Sequence, residues 1–288
     1  MLGTMFFRSL ILTLTLSGSL LAHASPDWTK PFPPYRVIGN VYYVGSEGLA
    51  SYLITTPQGD ILINSSFEQN VPMIQASIEK LGFHFSDVKI LLISHAHDDH
   101  DAGSAMVVKL THAKYMVMAG DVPVVESGGK TDFQYGDSGH LYPPVKVDRV
   151  LHDGGQVSLG GTVLTAHLTP GHTRGCTTWT MKVADGGKTY NVVIVGSPNV
   201  NAGYKLVGNT KYPQIAQDYE RTFRTLKALP CDVFLGAHGN YFDMEAKYAR
   251  MKKGGPNPFI DPEGYKSYIA ERQRTFEAEL KKQQEAHP

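Results

Sequence analysis

The chain of 288 residues carries 27 Lys and Arg residues and 27 Asp and Glu residues, so its formal net charge at pH 7 is zero. This balance gives no electrostatic footprint for nucleic acid, because the basic side chains are spread along the sequence rather than clustered. We therefore expect no nucleic-acid partner, and the length suits one large domain or two closely packed halves.

The first 24 residues have the pattern of a secretory signal peptide. Arg8 supplies a positive charge, and the apolar run from Ser9 to Leu21 is too short to span a bilayer. Ala22-His23-Ala24 is a small-x-small cleavage site, which predicts a mature protein that begins at Ser25. We therefore expect export to the periplasm without a membrane anchor, and a single domain over residues 25–288.

Strands and one-sided helices alternate through the first third of the mature chain. Turn residues and apolar runs predict strands at Val41–Val44, Ser51–Thr55, Asp60–Asn64 and Lys89–Ser94. A helix is predicted from Val71 to Leu81, because its apolar residues recur at helical spacing.

The hexapeptide His95-Ala96-His97-Asp98-Asp99-His100 follows the last of these strands directly. Its imidazoles and carboxylates form the ligand mixture that Zn²⁺ prefers. Ligands on a helix are spaced by three or four residues, so the spacing of His95 and His97 favours an extended turn. On such a turn these two can face one ion while Asp99 and His100 turn toward a second. The alternative is a polar loop that contains histidines by chance.

The segment from Ser127 to Pro144 has no clear period and is rich in glycine. It follows a predicted helix at Ala102–Thr111 and a predicted strand at Lys114–Met118. A loop of this length in a compact domain is usually functional or mobile, so we interpret it as a flap over the site. Phe133 and Tyr135 are its candidate substrate contacts, and His140 is a weaker one. The alternative is a surface excursion with its aromatic residues folded beneath it.

The second half of the chain repeats the pattern of strands followed by helices. Strands are predicted at Val147–Leu151, Thr162–Leu168, Thr177–Val183, Tyr190–Val195 and Val233–Leu235, and helices at Pro213–Leu229 and Pro262–Gln283. Helices outside two facing sheets would bury both sheets, so the class expected is α/β with a layered architecture.

Two later histidines stand in matching positions, each just beyond a predicted strand. His172 follows Leu168-Thr169-Pro170-Gly171, and His238 follows Phe234-Leu235-Gly236-Ala237. Loops at strand ends are where rigid scaffolds carry sites, and the hexapeptide needs remote ligands to complete two metal shells. Both histidines are therefore predicted to be metal ligands.

The two cysteines, Cys176 and Cys231, are expected to be free, buried thiols. Export would permit a disulfide between them, so that bridge remains an alternative. Cys176 lies four residues after His172, and a role as a soft metal ligand also remains open.

With these residues, the sequence resembles the metallo-β-lactamase superfamily, whose hallmark is His-x-His-x-Asp-His followed by separate later histidines. It is most similar to subclass B3, and the similar segments are Thr169–Trp179, Gly203–Leu206 with Tyr212-Pro213, and Pro230–Asp232 leading to His238. The resemblance implies an αββα sandwich with two zinc ions in the groove between the sheets. It assigns the first zinc to His95, His97 and His172, and the second zinc to Asp99, His100 and His238.

The same resemblance implies a monomeric β-lactamase acting on penicillins, cephalosporins and carbapenems. Three protein ligands on each zinc leave open positions, which is typical of a catalytic site. A zinc-bound water, ionised to hydroxide and oriented by Asp99, would attack the lactam amide. Asn199 and Asn201 join Phe133 and Tyr135 as expected substrate contacts.

Departures from the family pattern limit what can be carried over. Asp98 and Asp101 are acidic where smaller or apolar residues are expected, and neither has an assigned role. The region around Tyr265 lacks the cysteine that pairs with the equivalent of Cys231 in many B3 enzymes. Ser197 stands where thioesterases and lactonases of this fold carry a bridging aspartate, which favours a lactamase. An exported lactonase or thioesterase is the alternative enzyme, and a periplasmic zinc-storage protein is the non-enzymatic one.

Overall fold

Two β-sheets face each other, and helices cover their outer faces, in the computed structural model, which describes residues 27–286. This arrangement confirms the expected αββα sandwich. The predicted signal peptide lies outside the described residues. None of the described helices is long and apolar enough to cross a membrane.

The first sheet has seven strands that lie side by side in the order of the sequence. Neighbours are antiparallel from the first strand to the fourth and parallel from the fourth to the seventh. The strands are β1 (Tyr35–Ile38), β2 (Val41–Tyr43), β3 (Tyr52–Thr56), β4 (Gly59–Ile63), β5 (Val88–Leu92), β6 (Lys114–Met118) and β7 (Arg149–Leu151).

The second sheet has five strands in the order β12-β11-β10-β9-β8. They are β8 (Gln156–Leu159), β9 (Thr162–Leu168), β10 (Thr177–Asp185), β11 (Lys188–Val195) and β12 (Val233–Gly236). Both β9 and β11 run antiparallel to β10, and β12 runs parallel to β11. The carboxyl ends of β9, β11 and β12 therefore lie at one edge of this sheet.

Seven helices complete the described part of the chain: α1 (Val71–Lys80), α2 (Asp98–Asp101), α3 (Ser104–Thr111), α4 (Val122–Glu126), α5 (Ile215–Ala228), α6 (Met244–Lys252) and α7 (Pro262–Ala286). The sequence analysis did not predict α4, α6, β1 or β8. These elements are short, and short apolar runs carry little periodic signal.

Alternation of side chains along the strands builds two cores. In β4, Ile61 and Ile63 point into the cluster between the two sheets, whereas Leu62 points into the cluster beneath α1 and α3. Successive residues of a strand face opposite sides, so a sheet buried on both faces is apolar throughout. Full burial of each such side chain contributes about 1.5–3 kcal/mol to folding.

The metal-ligand hexapeptide changes conformation halfway along. His97 has the extended backbone that was predicted, but the extended turn is wrong for the second half, because Asp98–Asp101 form the helix α2. The carbonyl oxygen of His97 accepts the N–H groups of His100 and Asp101 at 3.0 and 2.9 Å. Acidic residues at a helix N-terminus are stabilised by the helix dipole, which favours this short helix at an aspartate pair.

Candidate metal centre

The hexapeptide lies at the edge where the two sheets meet. The Thr177 amide donates to the carbonyl oxygen of Ser94 at 2.7 Å, and the Trp179 indole donates to that of Ile93 at 3.0 Å. Both donors lie on β10 of the second sheet, whereas the acceptors continue β5 of the first. These hydrogen bonds hold His95 against the carboxyl ends of β9, β11 and β12.

His95, His97 and His172 form the first group of converging side chains. Their ring centroids lie 4.6–4.8 Å apart, and each offers a ligand atom within 4.8 Å of the others. His172 donates from Nδ1 to the carbonyl oxygen of Asn199 at 2.8 Å, which leaves its Nε2 available. The buried Nε2 atoms of His95 and His97 have no hydrogen-bond partner among the described residues. Such orphaned buried atoms fit a metal-binding role.

Asp99, His100 and His238 form the second group. His100 Nε2 lies 3.1 Å from His238 Nε2 and 3.2 Å from Asp99 Oδ2, and the latter atom lies 3.5 Å from His238 Nε2. Ligands placed tetrahedrally around Zn²⁺ at its usual bond lengths are about 3.3 Å apart. The observed spacings match that value. His95 is also close to Asp99 and His100, so the two groups adjoin.

Burial keeps four of the five ligand histidines neutral. Loss of hydration lowers the pKa of His97 to about 4 and the pKa values of His172 and His238 to about 3, and it holds that of His95 well below its usual range. Neutral imidazole is the form that binds a metal, so these rings are competent ligands at pH 7.

Asp99 is ionised in spite of its burial. Burial alone would raise the pKa of its carboxyl group, but the neighbouring His100 and His238 outweigh that effect and lower the pKa below its usual range. The second group therefore carries one fixed negative charge beside its two imidazoles.

Asp121 is a buried carboxylate that joins the segments carrying His95, His97 and His172. Its Oδ2 accepts the Ala96 amide at 3.0 Å and the Thr173 hydroxyl at 2.8 Å, and its Oδ1 accepts the Gly175 amide at 2.7 Å. Burial raises its pKa to about 7, although these hydrogen bonds favour the ionised form. The sequence analysis missed Asp121, and the available signal was an acidic residue just beyond the apolar strand β6.

Two further aspartates flank the centre. Asp132 lies in the flap and is buried, with Oδ2 3.7 Å from His97 Nε2, and its Oδ1 accepts the amides of Gln134 and Tyr135. Asp101 is buried behind α2, where it accepts hydrogen bonds from Ser104 and Tyr115. Asp101 therefore braces the motif against α3 and β6.

The ligands open onto a pocket of about 430 Å³, within the size range of small-molecule sites. The residues that line it are Trp28, Gly48, His97, Asp98, Asp99, Tyr135, His140, His172, Asn199, Asn201, His238, Asn240 and Tyr241. Of the four predicted substrate contacts, Tyr135, Asn199 and Asn201 are among them, and Asn201 Nδ2 donates to Tyr135 Oη at 3.0 Å.

Phe133 does not line this pocket. It is buried in the core between the sheets, with its ring 5.1 Å from that of Tyr204 and 5.0 Å from that of Tyr212. Its apolar ring is removed from water here, whereas the hydroxyl of Tyr135 finds a partner at the pocket rim. This placement does not support the predicted substrate contact of Phe133.

Both cysteines are free, as expected, and Cys231 is only partly buried. The Cys176 sulfur accepts the Ser197 amide at 3.2 Å and donates to the Ser197 carbonyl at 3.5 Å. Burial raises the pKa of Cys176 to about 12, so the thiol is protonated at pH 7. A protonated thiol engaged with the backbone is not a metal ligand.

Solved structures with the same fold and similar sequences include several metallo-β-lactamases. The model of the metallo-β-lactamase superfamily matches residues 45–238. FEZ-1 metallo-β-lactamase from Legionella gormanii is 60% identical over 91% of this chain and 99% of that chain, with a TM-score of 0.88. BJP-1, a subclass B3 metallo-β-lactamase of Bradyrhizobium japonicum, is 42% identical over 91% and 98%, with a TM-score of 0.85. LRA-12, a class B3 di-zinc metallo-β-lactamase from an Alaskan soil metagenome, is 35% identical over 90% and 98%, with a TM-score of 0.85.

The fold is an αββα sandwich, and two adjoining groups of histidine and aspartate side chains lie at its open edge. This combination is typical of metal-dependent hydrolases. The chain belongs to the metallo-β-lactamase superfamily, as its sequence predicted. Within the superfamily it is similar to the subclass B3 enzymes.

Proposed function

We propose that the protein is a zinc-dependent β-lactamase that hydrolyses the amide bond of penicillins, cephalosporins and carbapenems. The observation that carries the proposal is the pair of adjoining ligand groups that opens onto one pocket. The identity of 60% to FEZ-1 metallo-β-lactamase over nearly the whole chain supports the same conclusion.

Six residues would hold two zinc ions: His95, His97 and His172 the first, and Asp99, His100 and His238 the second. Bound zinc supplies Lewis acidity and lowers the pKa of water, so that a hydroxide nucleophile is available at neutral pH. The first set agrees with the convergence of its three histidines, the second with the short distances among Asp99, His100 and His238, and both with the neutral state of the shifted histidines.

Asp99 would orient the attacking water. Its carboxylate is ionised, borders the pocket and can only accept hydrogen bonds. A fixed acceptor at the pocket floor holds a water proton on one side, which turns the oxygen lone pair toward the substrate.

Tyr135, Asn199 and Asn201 would contact the substrate. Asn201 Nδ2 uses one hydrogen on Tyr135 Oη, which leaves its second hydrogen for a substrate oxygen. Lys and Arg are absent from the described residues that line the pocket, so amide donors are the side chains available for a substrate carboxylate.

The test is to assay the purified protein against a chromogenic cephalosporin and a carbapenem, before and after a chelator, with a lactone and a thioester as competing substrate classes. We expect lactam hydrolysis that the chelator abolishes and added zinc restores. Brisk lactone or thioester cleavage without lactam turnover would instead establish the alternative exported hydrolase. Zinc binding without any turnover would indicate the storage protein.

We also propose that the chain is exported to the periplasm, loses its first 24 residues and works as a monomer without a membrane anchor. The signal-like pattern of residues 1–24 supports export. N-terminal sequencing of the periplasmic protein should begin at Ser25, and light scattering should give the mass of one chain. A retained N-terminus or a dimer mass would contradict these expectations.

A further inference from the structure

Asp98 lies inside the metal-ligand hexapeptide, yet its carboxylate faces the flap formed by Ser127–Pro144. Oδ1 accepts the Asp99 amide at 3.0 Å, and Oδ2 lies 3.2 Å from His140 Nδ1. In the second contact the ring N–H of His140 donates and the carboxylate oxygen of Asp98 accepts. Both oxygens are therefore engaged away from the two ligand groups.

His140 is a half-exposed residue of the flap, and its ring connects this contact to the pocket. Its ring lies 5.2 Å from that of Tyr135, and the Tyr135 ring lies 5.1 Å from that of His97. Tyr135 Oη in turn accepts Asn201 Nδ2. A continuous line of contacts thus crosses the rim of the pocket, from the hexapeptide through the flap to the loop after β11.

We propose that Asp98 and His140 form a latch that fastens the flap and holds Tyr135 at the pocket rim, so that Asp98 is a positioning residue for substrate binding. The substrate part of this inference rests on the proposed function, whereas the latch itself does not. Two residues further along the flap, Tyr142 Oη donates to the carbonyl oxygen of Ala96 at 2.8 Å, which is a second and buried contact between the flap and the hexapeptide.

The latch is weak enough to open. The side chains of His140 and Asp98 are 54% and 29% exposed, and pairs this accessible to water shift an equilibrium by about 3- to 5-fold. If the latch favours the closed flap over the open flap by only this factor, the flap still opens often enough to admit substrate. The closed arrangement nevertheless remains the more populated one. The expected effect of breaking the latch is accordingly a rise in KM rather than a loss of chemistry.

The test compares the zinc-loaded wild type with D98A, H140A, the double variant and D98N. Hydrogen exchange of the amides of residues 135–140 reports the flap, and KM and kcat for a small and a bulky β-lactam report the pocket. We expect each alanine variant to speed exchange and to raise KM about 3- to 5-fold, with kcat nearly unchanged and zinc retained. The double variant should be no worse than either single one, because both changes break the same contact. D98N keeps one acceptor oxygen and cannot serve both the Asp99 amide and His140, so its flap exchange and KM should lie between those of the wild type and D98A.

E263Q is the matched control, because Glu263 pairs with Lys266 at 2.7 Å on the exposed face of α7, outside the pocket lining. It should change neither exchange in the flap nor KM. Unchanged flap exchange in D98A and H140A, additive effects in the double variant, or zinc loss in D98A would each overturn the latch. A wild type without lactam turnover would refute the proposed function, and the exchange measurement would still decide the latch.

Discussion

The metal centre and the flap lie side by side but are held in different ways. The ligands stand just beyond β5, β9 and β12, are nearly all buried, and are joined by backbone hydrogen bonds and the buried carboxylate of Asp121. In the flap, Phe133 and Tyr142 are buried, whereas His140 is half-exposed and contacts Asp98. The rigid edges of the two sheets therefore position the metal ligands, and the more weakly held flap forms part of the pocket rim around them.

This difference suggests a division of labour. Changes at the sheet edges should alter metal binding and chemistry together, because the same buried contacts position every ligand. Changes at the exposed or partly exposed flap side chains, such as His140 and Tyr135, should alter substrate binding alone, because these side chains make few buried contacts. Four variants test whether the two regions are as separable as their contacts imply.

His97→Ala should have the largest effect. It removes one of three ligands of the first group and should cost several kcal/mol of transition-state stabilisation, about 10³-fold in kcat/KM. Zinc content by mass spectrometry and β-lactam turnover are the measurements. His84, which is exposed, gives the control H84A with unchanged values. Full turnover in a zinc-depleted H97A protein would contradict the assignment.

Phe133→Ala should destabilise the fold, although the residue belongs to the flap. Its ring is buried between Tyr204 and Tyr212, and truncation of a buried Phe costs about 3–5 kcal/mol. Denaturant unfolding of F133A and Y135A measures the loss of stability in each variant. Tyr135 is only partly buried, so its truncation should lower the free energy of unfolding much less than that of Phe133. Equal loss of stability in the two variants would contradict the distinction between the buried and the partly exposed side chains of the flap.

Asp121→Asn should weaken zinc binding without touching a ligand. The amide cannot accept all three hydrogen bonds from Ala96, Thr173 and Gly175, and the loss of such supporting contacts lowers metal affinity about 10- to 100-fold. Competition with a fluorescent chelator measures the affinity. Wild-type affinity in a folded D121N protein would mean that the sheet edges alone hold the ligands.

Tyr135→Ala should have the smallest effect, a rise in KM of about 5-fold, equivalent to the loss of one aromatic contact. Zinc content and kcat should stay near the wild-type values, because the ring faces His97 without being a ligand. Steady-state kinetics on several β-lactams tests this expectation. A large fall in kcat would place Tyr135 with the chemistry rather than with the rim.

Local pattern was enough to predict the layered fold and the convergence of the histidines. The hexapeptide follows an apolar strand, and His172 and His238 follow others, so a shared sheet edge brings them together. The spacing predicted that His95 and His97 face one ion and that Asp99 and His100 face a second, and the family resemblance assigned His172 to the first and His238 to the second. The helical start at Asp98 was missed, because the histidine spacing outweighed the helix-favouring acidic residues.

Contacts between distant segments could not be predicted from that pattern. Asp121 meets Thr173 and Gly175 only through the packing of the two sheets, and Asp98 meets His140 only because the flap folds back. Phe133 and Tyr135 are two residues apart in an irregular loop, where no period indicates which ring turns inward. The residues that support the site were therefore harder to find than its ligands.

The most direct test of the central claim is a crystal structure of the zinc-loaded protein with data collected at the zinc absorption edge. We expect two anomalous peaks in the pocket, one bonded to His95, His97 and His172 at about 2.0–2.1 Å and the other to Asp99, His100 and His238 at similar lengths. A single peak, or a second ion without a bond to His238, would contradict the account.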